Sequence, residues 1–163
     1  MAFVDTDSEH PDVPTFYNIN SAVGFGCPNI EEDVKVVQFF LQRFFTLRPF
    51  AGEKPAGSMS VDGKVGPITR TWIHKFQAVC RRSKQNVLVD GIIDKAGNPE
   101  NPNNLTSSVS RTEYAIRALN AVLRHEDKEV YKTLTTNPVV PPDVRMIFLQ
   151  IASQGPPMNY GSV

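Results

Sequence analysis

Cysteine is scarce in this sequence. Among 163 residues there are two, Cys27 and Cys80. That is too few for a disulfide framework, and no Cys/His spacing resembles a zinc site. A single Cys27–Cys80 bridge is allowed but not implied. Net charge is lacking as well: 17 Lys and Arg balance 17 Asp and Glu. This removes any general electrostatic grip on nucleic acid or an anionic membrane surface. No apolar run is long enough to cross a bilayer, so membrane insertion is not expected. There is no Gly-x-Ser-x-Gly nucleophile elbow, and neither cysteine has a histidine partner nearby in sequence. The three histidines, His10, His74 and His125, are scattered; the metal-ligand positions after His74 are taken by Gln77 and Ala78. These gaps argue against an enzyme, a metal site or a bound cofactor.

What is present is ordinary globular composition, 40% apolar and 21% charged, in a chain long enough to bury a core as one domain. The most informative stretch is Val61 to Gln77. Asp62-Gly63 is a turn dipeptide, because Gly accepts positive φ and Asp bonds nearby backbone. Gly66-Pro67 opens a helix, with Pro at the first position, where its missing N–H costs nothing. Ile68, Trp72, Ile73, Phe76, Val79 and Cys80 then recur at helical spacing, which predicts a buried face.

A second copy of this unit follows. Val89-Asp90-Gly91 repeats the turn. After a polar, Asn- and Pro-rich insertion (95–108), Ser110 and Glu113 have capping-box spacing. The next helix matches the earlier one position for position: Thr112 for Thr69, Ala115 for Trp72, Ile116 for Ile73, Leu119 for Phe76 and Asn120 for Gln77.

Asp62, Gly63, Gly66, Pro67, Thr69, Phe76 and Gln77 resemble the D-G-x-x-G-P-x-T turn and Phe-Gln helix of the peptidoglycan-binding-like family of small helical cell-wall modules. Asp33, Val34, Val37, Gln38 and Leu41 resemble that family's earlier D-V-x-x-[LV]-Q-x-x-L helix. The resemblance covers about residues 28–82. One departure is Trp72, at a position that is normally small and inward-facing; the ring is expected in the core, the alternative being a surface platform for a sugar. The resemblance implies a non-catalytic module that recognises bacterial cell-wall glycan or stem peptide. Lys64, Arg70 and Lys75 beside the first Asp-Gly turn, with Trp72 if exposed, would meet stem-peptide carboxylates near a helix N-terminus. The alternative is a structural or interaction protein, a component, cargo or adaptor of a bacterial secretion or injection system, whose partner reads the insertion and the tails. Met1 to Tyr17 shows no basic stretch followed by an apolar core. The expectation is cytoplasmic synthesis without a signal peptide, followed by retention or by leaderless export to the periplasm or cell envelope.

The remaining chain divides as follows. Residues 1–27 read as an extended arm docked loosely on the body; 28–126 form the core with its pseudo-repeat; 127–163 form a helical extension and tail. Asn29 and Glu32 have capping-box spacing for a first helix running to about Phe45, apolar on more than one side. Glu31, Glu32 and Asp33 suit its positive end. Thr46 to Ser60 reads as a loop with room for one helical turn. A short helix is expected over 127–134 and a last one from about Pro142 to Ser153. Short β pairings are possible near Met59–Val61 and Val87–Val89. Lys75, Arg81, Arg82 and Lys84 read as a solvated helix end. Gln38, Gln77 and Asn120 could bond sugar hydroxyls or peptide amides; the favoured reading is that they hold the backbone of the two Asp-Gly turns. Asp62 and Asp90 could be a carboxylate pair as in glycosidases, but Asx-turns account for both. The fold class is mainly α, a bundle of about four to five helices with long loops.

Overall fold

Helix α1 (Glu31–Phe44) is apolar on several sides, and the rest of the molecule is built around it. A computed structural model describes residues 2–6, 15–97 and 112–154. Most of the insertion, Ser110 of the expected second capping box, and the tail 155–163 lie outside the described residues. The fold is mainly α: α1, α2 (Pro67–Arg82), α3 (Ala115–Glu126), the short α4 (Lys128–Lys132) and α5 (Pro142–Gln154). A 3-10 turn at Ala51–Glu53 occupies the loop after α1. Helices α2, α3 and α5 all pack on α1.

Two aromatic clusters divide the surface of α1. Phe40 meets Phe148 of α5 with centroids 5.8 Å apart, and Tyr17 and Tyr131 close on the same group. One turn further on, Phe44 packs edge-on against Phe76 of α2 at 4.9 Å, while Phe45 meets Trp72 at 5.4 Å. Rings at these distances add attraction beyond their buried area.

The N-terminal residues differ from the expected loose arm. Strands β1 (Phe3–Thr6) and β2 (Thr15–Asn18) form an antiparallel pair, with Phe3 opposite Asn18 and Thr6 opposite Thr15. Phe16, Ile19 and Val23 are fully buried. Asn18 clasps Ala96 in both directions, its Oδ1 accepting the Ala96 N–H at 3.0 Å and its Nδ2 donating to the Ala96 carbonyl at 3.1 Å. Val23 and Ile93 exchange two backbone bonds at 2.9 and 2.8 Å. The segment is part of the core because its partners come from far along the chain.

Both helix starts also differ from expectation. Ile30, not Asn29, caps α1, and without a side-chain bond. Asn29 sits at φ 51° and spends its amide on Gly24. Asp33 does more than favour its own helix end: buried, it accepts the Asn20 and Ser21 N–H groups at 3.2 and 3.1 Å. Helix α3 begins at Ala115, after Tyr114, because Glu113 is drawn into a parallel bridge with Val87. Thr112 therefore precedes α3, whereas Thr69 lies inside α2. Met59 to Val61 form no strand or bridge. Ile68 is not part of the buried face of α2; it stands 46% exposed at the first turn. Beyond these starts the repeat keeps its register: Ile73 and Ile116, and Phe76 and Leu119, are fully buried.

Candidate ligand-binding cleft

Two buried glutamines hold the two Asp-Gly turns. Gln38 of α1 is buried, and its Oε1 accepts the Asp62 and Gly63 N–H groups at 3.1 and 2.9 Å. Its Nε2 reaches Asp62 Oδ1 at 3.1 Å, the Lys64 carbonyl at 3.0 Å and Thr69 Oγ1 at 3.1 Å. Gln77 of α2 repeats the device on the second turn. Its Oε1 accepts from Asp90 and Gly91 at 3.2 and 2.8 Å, and its Nε2 donates to Asp90 Oδ1 and the Ile92 carbonyl at 3.2 and 2.8 Å. A buried amide satisfied on both ends is the arrangement low-dielectric surroundings demand. Asp62 and Asp90 complete Asx-turns, accepting the Lys64 and Ile92 N–H groups at 2.9 and 3.0 Å. Gly66 and Pro67 then start α2 as N-cap and first residue. Asn120 departs from the expected pattern: it grips no turn but clasps Tyr17 of β2, accepting its N–H at 2.8 Å and donating to its carbonyl at 2.9 Å.

The Gln77 clasp fixes the second turn beside the outer face of α2, and an open cleft of about 610 Å³ lies between turn and helix. Pro67, Arg70, Thr71, His74 and Lys75 form one wall, being three or four residues apart along the helix. Asp90, Gly91 and Ile92 form the other. Phe25 closes one end. It is 71% exposed, with the Arg70 guanidinium 4.3 Å from its ring centre, a cation–π contact.

The loop that carries Phe25 is held firmly. Asn29 Oδ1 accepts the Gly24 N–H and Nδ2 donates to the Gly24 carbonyl, both at 2.8 Å. Gly24 has φ 152°, and a Cβ there would lie 2.7 Å from the Gly91 carbonyl oxygen. Only glycine permits this approach of the aromatic loop to the second turn.

Charge is unevenly placed around the cleft. Neither Arg70 nor Lys75 has an acidic partner among the described residues. Lys35, Arg43, Arg82 and Arg117 by contrast are all paired, to Glu31 and Asp143, Asp127, Glu53 and Glu113 respectively. On the far side Asp90 lies near Asp94. The Asp94 carboxyl is pushed up, first by partial desolvation and then by the Asp90 charge, although Asp94 as a whole residue lies at the surface. The hydroxyl of Thr71 is engaged with the Pro67 carbonyl at 2.9 Å, so the cleft presents chiefly charge and a ring.

Of the residues the sequence singles out for ligand contact, the structure brings Arg70 and Lys75 together in this cleft. It separates Lys64, which borders a different hollow of about 180 Å³ with Ser58, Asp62 and Ile68. Trp72 is 3% exposed and offers no surface for a sugar; its indole N–H, buried, has no hydrogen-bond partner among the described residues. Phe25, His74 and the second Asp-Gly turn join the cleft without a local sequence pattern that groups them with Arg70 and Lys75. The signal in the sequence is Phe25 itself, a large aromatic side chain set between Gly24 and Gly26. Among the described residues no group of three or more His, Cys, Asp or Glu could hold a metal ion, and no helix is long and apolar enough to cross a membrane.

No family model, curated protein or solved structure matches this chain.

Proposed function

We propose that this chain is a non-catalytic recognition module of peptidoglycan-binding-like type, and that it takes a carboxylate-bearing component of the bacterial cell wall in the cleft between α2 and the second Asp-Gly turn. One observation carries the reading: Arg70 and Lys75, without acidic partners among the described residues, line a cleft of ligand size closed by exposed Phe25. Cations left unpaired at a concave surface favour an anionic ligand, and volumes of this order suit small ligands. The two turn-helix motifs supply the cell-wall direction.

The test is co-sedimentation of the purified protein with insoluble peptidoglycan. The unmodified protein should sediment with sacculi. Arg70→Glu with Lys75→Glu should abolish this, and Lys64→Glu, which alters the separate hollow, should leave it unchanged. Sacculus binding that survives the double charge reversal refutes the cleft as the site.

A second reading, a structural or interaction protein of a secretion or injection system, is favoured by a different surface. Met146 and Leu149 of α5 are about half exposed, on the side of the helix away from buried Phe148. On that reading sacculi fail to retain the protein, and Met146→Glu with Leu149→Glu removes a protein partner from a lysate pull-down.

A further inference from the structure

The cleft carries both signs of charge, and the negative side is as available as the positive. Asp90 Oδ1 is committed to the Gln77 amide and the Ile92 N–H. Its second oxygen, Oδ2, has no bond to any other described residue, and the residue is exposed. The geometry is fixed on both walls. Asp90 is held by the buried Gln77, Phe25 by the Asn29 clamp on Gly24, and Arg70 and Lys75 by their positions on α2. A site with cations on one wall, a carboxylate on the other and a ring at the end does not suit a simple anion, since Asp90 would repel it. It suits a ligand that carries an ammonium and a carboxylate a few bonds apart on an aliphatic stem.

Resting on the cell-wall reading above, we infer that the cleft selects the zwitterionic end of a diamino acid in a stem peptide. The free carboxylate lies toward Arg70 and Lys75, the free ammonium at Asp90 Oδ2, and the methylene chain against Phe25. Each charged end of the ligand that meets an opposite charge in the cleft adds to binding, and neutralising it removes that contribution. Amidation of the carboxylate or acetylation of the amine should therefore each weaken binding.

The experiment uses the full chain and three synthetic stem tripeptides ending in the diamino acid: one with both terminal groups free, one with the carboxylate amidated and one with the amine acetylated. Binding is followed by amide chemical-shift changes at 24–26, 70–75 and 90–92. The free peptide should bind at those positions, and each modified peptide should bind about two- to fivefold weaker. Arg70→Gln should erase the difference between free and amidated peptide. Asp90→Asn, which can keep the Asx-turn, should erase the difference between free and acetylated peptide. Equal binding of all three peptides to the unmodified protein overturns the inference while sacculus binding, measured beside it, leaves the recognition reading standing. Loss of both peptide and sacculus binding overturns the two together. The peptide comparison needs no variant, so it decides the matter even where Asp90→Asn fails to fold.

Discussion

Gln77 Oε1 accepts the Gly91 N–H at 2.8 Å across 14 residues of chain, and Gln38 does the same for Gly63 at 2.9 Å. The two glycines share φ 76°, so each turn has the same backbone held by the same side chain. Their surroundings differ. A Cβ on Gly91 meets nothing within 4 Å, whereas one on Gly63 would lie 2.5 Å from Glu31 Cγ and 3.2 Å from the Glu31 carbonyl oxygen. Gly91→Ala should therefore cost only the left-handed backbone strain, roughly 1–2 kcal/mol. Gly63→Ala should cost about 1 kcal/mol more from overpacking. Urea unfolding of both variants measures this, and equal losses would show that α1 yields freely at its first turn.

The Asp62 carboxyl is held below the usual carboxylate range, chiefly by the Lys64 N–H and next by the Gln38 amide. A lowered folded value means that the contribution is complete above the unfolded value, about 3.9, and is lost as pH falls through the folded one. Asp62→Asn should thus be less stable than the unmodified protein at pH 7, and the gap should narrow as the pH approaches 3. Asp94 has the opposite sign. Desolvation and then Asp90 raise its value, so its ionisation penalises the folded state, and Asp94→Asn should be relatively more stable at neutral pH than in acid. Urea midpoints at several pH values check both; two parallel curves would contradict the assignments.

Much of this architecture was legible from local pattern. The helical spacing around Phe76, the Asp-Gly turns and the matched places of Ile73 and Ile116 are decided within a few residues of chain. Tyr17 shows why the rest was not. A strand of four residues carries little periodic signal, and Tyr17 is placed by Asn120 of α3 and Phe148 of α5, both over a hundred residues away. Asn29 shows competition for one side chain: it had the spacing of a helix cap, yet the demand of Gly24 for a donor and an acceptor won. The candidate cleft was half legible. Arg70 and Lys75 lie on one helix and could be grouped by spacing, but Phe25 and Asp90 reach them only through the Gly24–Gly91 approach and the Val23–Ile93 bridge, which no local pattern encodes.

Both cysteines are free thiols in the structure. Burial and then Glu113 push the Cys80 thiol up to about 12, so it is neither exposed nor ionised near neutrality. Cys27 is half-buried on the Gly-rich loop, its thiol raised by desolvation and then by Asp94 and Asp90. A thiol-specific chromogenic reagent at pH 8 should therefore titrate one group per native chain, slowly, and the second only in denaturant. A total of no free thiols in denaturant would establish a Cys27–Cys80 bridge instead.

His74 and Phe76 stand two residues apart on α2 and face opposite ways. Phe76 is fully buried against Phe44, in the seam that joins α2 to α1. Removing its ring leaves a cavity beside Phe44, and Phe76→Ala should cost roughly 3–5 kcal/mol. His74 is exposed, lines the cleft, and makes no ion pair among the described residues. His74→Ala should change stability by no more than about 0.5 kcal/mol. Denaturant melts of the two variants test the face of α2 independently of any ligand. If His74→Ala proved the more damaging, the helix would be rotated from the orientation described, and Arg70 and Lys75 would no longer border the cleft that Phe25 and Asp90 enclose.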